Sequence, residues 1–267
     1  MKKILSAILA VIAAISCCFS IASCTADSEN CLIMVTNADF PPFEYLDDNE
    51  NIVGFDIEVA EAIAEKLGMT LKIESIAFEK IFDEIENGKY DFGMAGLTVN
   101  EERKSQVMFS DTYATGIQSI IVKEDSEYTK LNDFFAGFDE SGNPITAKIN
   151  ITIGVQKGTT GDTYASADPV EWGFEEKNVK KYATGEEAVQ ALAEGKITAV
   201  IIDSEPAKSF VDKYSGLKIL KTPYANESYA ICVNKDNTEL LGKINNALEE
   251  LEKDGKLEEI QNKYIAK

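Results

Sequence analysis

The chain has 267 residues, 46 acidic against 26 basic, no histidine and a formal net charge of −20. That balance excludes nucleic acid as a partner, because neutralising phosphates takes clustered Lys and Arg. Without imidazole the commonest general base and metal ligand are missing, so neither metal nor cofactor is expected.

At the N-terminus, Lys2 and Lys3 precede residues 4–22, an apolar run broken only by Ser6, Ser16, Ser20 and the Cys17–Cys18 pair. No acid appears before Asp27. This is the layout of a signal peptide, although the run is also long enough to span a bilayer. Ile21-Ala22-Ser23-Cys24 resembles a bacterial lipobox, which implies cleavage before Cys24 and lipid on its sulfur. The expected division is a signal peptide over 1–23 and a tethered linker over 24–30. The expected location is the cell surface or periplasm, anchored through Cys24. The remaining ~244 residues exceed the usual single core and suit one large or two smaller lobes. Cys31 and Cys232 are left to pair or to act as small apolar residues.

From residue 32 the chain alternates. Residues 32–36 read as a buried strand, ending in a loop whose Pro41 and Pro42 forbid helix and hold aromatic side chains. Asp56 reads as the N-cap of a helix with Ile57, Ala60, Ile63, Ala64 and Leu67 on one face, stopped by Gly68. A strand over 71–74 and a helix over 78–87 follow, the helix carrying Phe78, Ile81, Phe82 and Ile85 on its apolar side. Strand and helix in turn indicate a parallel α/β layer. Residues 118–123 form another strand. The polar segment 124–148 shows no periodicity and reads as an insertion or a flap. A second α/β series then runs through strands at 149–155, 179–182, 197–202, 217–220 and 228–233, with helices at 185–194 and 207–214. Two charged amphipathic helices, 240–253 and 257–264, complete it.

The two series repeat weakly. Residues 86–96 parallel 193–203: each ends a helix in Gly-Lys and delivers a candidate ligand group eight residues after the glycine, at Gly96 and Asp203. In open α/β sheets this carboxyl edge of the strands is where ligands sit. Just beyond Gly96 stands Arg103, the only arginine in the chain. A sequence that otherwise relies on lysine gains from arginine a planar fork that grips a carboxylate through two hydrogen bonds. Its bland alternative is an ion pair with Glu101 or Glu102. For Asp203 the alternative is a helix cap, and for Phe40 and Phe55 it is ordinary core.

These residues together resemble the bacterial solute-binding proteins of polar amino-acid ABC importers, over nearly all of 31–267. The resemblance implies an α/β, two-lobed periplasmic-binding-protein (type II) fold, each lobe a mostly parallel sheet flanked by helices. It places lobe 1 at 31–114 and 227–267 and lobe 2 at 115–226, with two crossing hinge segments near 113–117 and 225–229. It implies that Arg103 and the Thr98 N–H take a ligand carboxylate, aided by the turn at Gly158, Thr159 and Thr160. Gly96 C=O, the Thr98 hydroxyl and Asp203 would take the ammonium, and Phe40 and Phe55 would wall the side chain. Basic-amino-acid binders of the family usually carry aspartate where this chain has Asn37, which leans the ligand toward a neutral polar amino acid. Asp39 and Glu44 nearby offer compensating charge. The expectation is a monomeric binder that serves a membrane permease, not an enzyme. The alternatives are a sensor module or, further off, an amino-acid-derivative lyase on the same fold.

Overall fold

A computed structural model describes residues 30–265; the expected signal peptide and the Cys24 lipidation site lie outside them. Lobe 1 opens with β1 (Cys31–Thr36), a small sheet of β2 (Asp39–Phe40), β3 (Glu44–Leu46) and β4 (Ile52–Val53), then α1 (Phe55–Leu67). It continues through β5 (Thr70–Ser75), α2 (Ile81–Glu86), β6 (Phe92–Gly93) and α3 (Glu101–Lys104). β7 (Met108–Lys123) crosses to lobe 2, made of β8 (Ile153–Gln156), α4 (Thr160–Ser166), β9 (Val179–Tyr182), α5 (Gly185–Ala193), β10 (Ala199–Asp203), α6 (Ser204–Lys213) and β11 (Leu217–Ile219). β12 (Ala225–Val233) returns to lobe 1, where α7 (Thr238–Lys253) and α8 (Lys256–Tyr264) pack on α1. No helix among the described residues is long and apolar enough to cross a membrane.

The strand order β5-β1-β6-β12-β7-β10-β8-β9 makes a single curled sheet, with β11 beside β7. Pairing is parallel toward both ends and antiparallel in the middle, where β12 meets β6 and β7 and β7 meets β10. The segments expected as hinges are therefore not loose connectors. Thr115 faces Ser228, Gly116 faces Glu227 and Ile117 faces Asn226 in one antiparallel ladder, and β7 runs unbroken for 16 residues where the sequence pattern marked only its last six. Period-2 burial is lost where a strand passes from one lobe to the other, so the pattern there did not announce a strand.

Each lobe has its own core. Lobe 1 buries Met34, Phe43, Phe55, Phe92 and the α7 side chains Ile244, Leu248 and Leu251 in one cluster. Lobe 2 packs Ile120, Phe134, Phe174 and Ile201 on one side of the sheet and Val189, Leu192, Val200 and Phe210 on the other. The 124–148 segment belongs to that first lobe 2 core: Leu131, Phe134, Phe135 and Ala147 are buried there, and Phe135 stacks on Phe174 at 5.2 Å. The segment is folded onto the lobe, closed by bridges between Phe135 and Ala147 and between Phe138 and Pro144.

The Gly-Lys repeat holds geometrically. Gly88 after α2 and Gly195 after α5 both adopt left-handed backbone (φ +69° and +73°), the conformation that turns each helix back into its strand. One helix start differs from expectation. The N-cap of α1 is Gly54, and Asp56 makes no cap. Gly54 sits at φ +136° against the Phe43 carbonyl, where a Cβ would come within 2.2 Å of oxygen, so the entry to α1 is set by backbone packing. Asp56 is fully buried and serves the interior instead. The two cysteines are free thiols: Cys31 is half-buried at the start of β1, and Cys232 lies in the lobe 1 core against Gly93.

Candidate functional site

The carboxyl ends of the strands in both lobes meet at a narrow cleft. Seven of the eight expected residues line it: Asn37, Phe40, Gly96, Thr98 and Arg103 from lobe 1, and Thr160 and Asp203 from lobe 2. Phe55 does not. It is fully buried in the lobe 1 core, stacked on Tyr113 and edge-on to Phe43. The second aromatic of the cleft is Phe78, joined by Gln156 and Thr159 as further lining residues. Phe78 was legible only as part of an apolar helix face. Gln156 carried one usable signal, its place at the carboxyl end of a strand.

Arg103 is 6 % exposed and held from several sides. Asn100 caps α3 by accepting from the Arg103 N–H at 2.8 Å, which fixes the backbone from which the side chain departs. Nη1 donates to the Thr98 carbonyl at 2.8 Å and Nη2 to the Gly158 carbonyl of lobe 2 at 3.3 Å. The guanidinium lies over the Phe82 ring at 4.7 Å and the Phe78 ring at 5.6 Å. It makes no ion pair among the described residues; Glu101 pairs instead with Lys104 at 2.8 Å. Burial pushes its pKa down, opposed chiefly by the negative charge of Glu227.

Asp203, 8 % exposed, stands at the N-cap position of α6, yet its side chain makes no capping bond. Its oxygens accept instead from Gln118 Nε2, at 2.7 Å, and from the Tyr229 hydroxyl, both on the crossing strands. Burial first, and Glu227 second, push its pKa up. Thr98 donates its hydroxyl hydrogen to Glu227 Oε2 at 3.0 Å. Thr160 opens α4, so its N–H is among those a helix leaves without an internal partner.

Gly96 has a double requirement. Its φ is +52°, and a Cβ there would approach the Phe40 ring to 2.9 Å, so only glycine lets the backbone and that ring share the cleft wall. Its N–H donates to Asp56 Oδ2 at 2.9 Å, and Tyr113 donates to the same oxygen at 2.8 Å. Asn37 accepts from Gln156 Nε2 across the cleft at 2.8 Å. Lys157 pairs with Glu79 at 3.3 Å, a further lobe-to-lobe contact.

Beneath the cleft floor the buried carboxyls of Glu44 and Asp56 stand near each other, each with an oxygen that has no hydrogen-bond partner among the described residues. Burial raises both pKa values, Glu44 well above the carboxylate range and Asp56 to about 6. Because folding raises these values, the pair's contribution to stability is complete below the ordinary carboxylate pKa of ~4 and fades as pH rises through the folded values. Glu44→Gln removes one of the two titrating groups. The melting temperature of this variant should fall less than that of the parent across this range in a pH series, and parallel curves would refute a role for the Glu44 carboxyl in the pH dependence.

The sequence matches the model of the bacterial extracellular solute-binding proteins, family 3, over residues 32–267. The chain belongs to that family. It is thus a solute-binding protein and not an enzyme, which sets aside the lyase alternative. Among relatives of this family-3 protein, the arginine-binding extracellular protein ArtP of Bacillus subtilis is 32 % identical over 270 residues, covering 99 % of this chain and 98 % of its own. An ancestral arginine-binding protein solved with glutamine superposes with a TM-score of 0.77 at 37 % identity, over 89 % of this chain and 99 % of its own. An ancestral arginine-binding protein solved with arginine gives 0.78, 37 %, 89 % and 99 %. The two-lobed type II fold of this family-3 protein is the one these structures share.

Proposed function

We propose that this protein binds one free polar amino acid as its zwitterion and delivers it to a membrane ABC permease, tethered to the cell surface through Cys24. The observation that carries the reading is a buried guanidinium without an ion-pair partner among the described residues, facing the same cleft as a buried carboxylate of the other lobe. A desolvated charge is costly until it is paired, and an α-amino acid supplies one partner for each. Arg103 grips the α-carboxylate with the N–H groups of Thr98 and Thr160. Asp203, the Thr98 hydroxyl and the Gly96 carbonyl hold the ammonium. Phe40 and Phe78 flank the side chain, with Phe78 in the part the family resemblance gave to Phe55. Since the contacts come from both lobes, ligand favours the closed arrangement only by completing them.

Among the lining residues Arg103 is the only base and Asp203 the only acid. Both are used by the zwitterion, and the other polar side chains of the wall, the mutually bonded amides of Asn37 and Gln156 and the threonines, are neutral. This favours a neutral polar ligand such as glutamine. A basic ligand is the second reading, supported by relatives named for arginine, by the rings of Phe40 and Phe78, which suit a cation, and by Asp39, 3.2 Å from the Asn37 amide. A melting screen over the twenty amino acids and ornithine tests both. At 100 times its dissociation constant the true ligand adds ~2.7 kcal/mol, or about 5–10 °C for a chain of this size. No shift with any of them would overturn the amino-acid reading.

A further inference from the structure

Glu227 was not singled out by any motif. It sits on β12 where that strand crosses between lobes, opposite Gly116, and is 6 % exposed. It is not part of the cleft wall but stands behind two residues that are. Its Oε2 accepts from Thr98 Oγ1 of lobe 1 and from Gln118 Nε2, both at 3.0 Å. The same Gln118 amide donates to Asp203 of lobe 2 at 2.7 Å. Glu227 Oε1 is buried with no hydrogen-bond partner among the described residues. A hydroxyl has one hydrogen and two lone pairs. With its hydrogen committed to Glu227, Thr98 offers the cleft an acceptor only, which is what an ammonium requires.

Resting on the amino-acid reading of the cleft, we propose that Glu227 is the positioning residue of the ammonium half-site. It locks the Thr98 hydroxyl as an acceptor and sets a second acid against Asp203, so that an arriving ammonium expels a proton from that pair into solvent. The groups facing the pair are Arg103 from α3, Tyr164 from α4 and Tyr229 on β12, with Glu44 from β3 acting on Asp203 from farther off. Burial pushes Tyr164 to about 12 and Tyr229 well above its ordinary value, so neither phenol titrates near neutrality. Glu44, raised by burial, acts only from farther off, and arginine does not deprotonate in proteins. Asp203, raised by burial and by Glu227, is the group left to release a proton. Affinity should therefore climb with pH until the Asp203 pKa is passed.

Calorimetric titration with L-glutamine and L-arginine, at neutral pH in two buffers of different ionisation enthalpy, reads the proton directly. The parent protein should release up to about one proton per ligand bound, with affinity rising up to about tenfold per pH unit. Glu227→Gln removes the second acid; its proton release should diminish and its pH profile flatten, with burial alone then raising Asp203. Glu227→Asp, which keeps the charge, should retain both. Binding heat in the parent without buffer dependence, or undiminished proton release in Glu227→Gln, overturns the role of Glu227 alone. No heat with any amino acid overturns the amino-acid reading, and this inference with it.

Discussion

Replacing Arg103 with alanine lowers amino-acid affinity by at least about 100-fold, since two charge-assisted hydrogen bonds at ~1.5–3 kcal/mol each are lost. Arg103→Lys keeps the charge but not the fork, and a loss of about tenfold or more is expected. Titration calorimetry with the amino acid identified by the melting screen reads both. The fold should suffer far less than the binding. Arg103 makes no ion pair among the described residues, so alanine breaks none. It forfeits the bond to the Thr98 carbonyl and the stacking on Phe82, while relieving the desolvation of the guanidinium. Unchanged affinity in Arg103→Ala would remove the carboxylate assignment.

Gly116→Ala is the second large effect. Gly116 lies in the crossing strand beneath the Tyr229 ring, and a Cβ there would stand 1.9 Å from the Tyr229 oxygen. Tyr229 is fully buried and wedged edge-on to Phe43, so the ring has nowhere to retreat without disturbing the lobe 1 core. Its hydroxyl also donates to Asp203. The alanine must therefore strain the core, by ~1–3 kcal/mol, and pull a donor from Asp203, the carboxylate proposed to hold the ammonium. A melting temperature lower by roughly 2–12 °C and an affinity loss of about tenfold, the equivalent of one hydrogen bond to a charged group, are expected together. A parent-like melting temperature would mean the crossing strands yield freely at this point.

The elements were readable because their causes are local. Gly68 ends α1 in left-handed backbone as expected of a C-cap glycine, and α7 shows the helical spacing in its buried Leu240, Ile244, Ala247, Leu248 and Leu251. Cleft-lining residues were readable where chemistry was scarce: one arginine, and one acid at a strand end. The exchange of Phe55 for Phe78 shows the limit. Both are phenylalanines at the start of a helix, and nothing near either in the chain says that one faces the core and the other the cleft. Asp56 misled for a related reason. Its spacing suits a cap, but a glycine entry two residues earlier had already turned the chain, which left the carboxylate to hold Gly96 and Tyr113.

Periodicity, turn glycines and residue scarcity thus specified an alternating α/β chain and a set of groups suited to a dipolar molecule, because each depends on neighbours a few positions away. The meeting of Arg103 with Asp203, the lack of an ion-pair partner for that arginine among the described residues, and the placing of Glu227 behind Thr98 depend on two strands crossing between lobes and pairing residues more than a hundred positions apart. Long-range pairing and burial leave no local trace, so these features appear only in the folded chain.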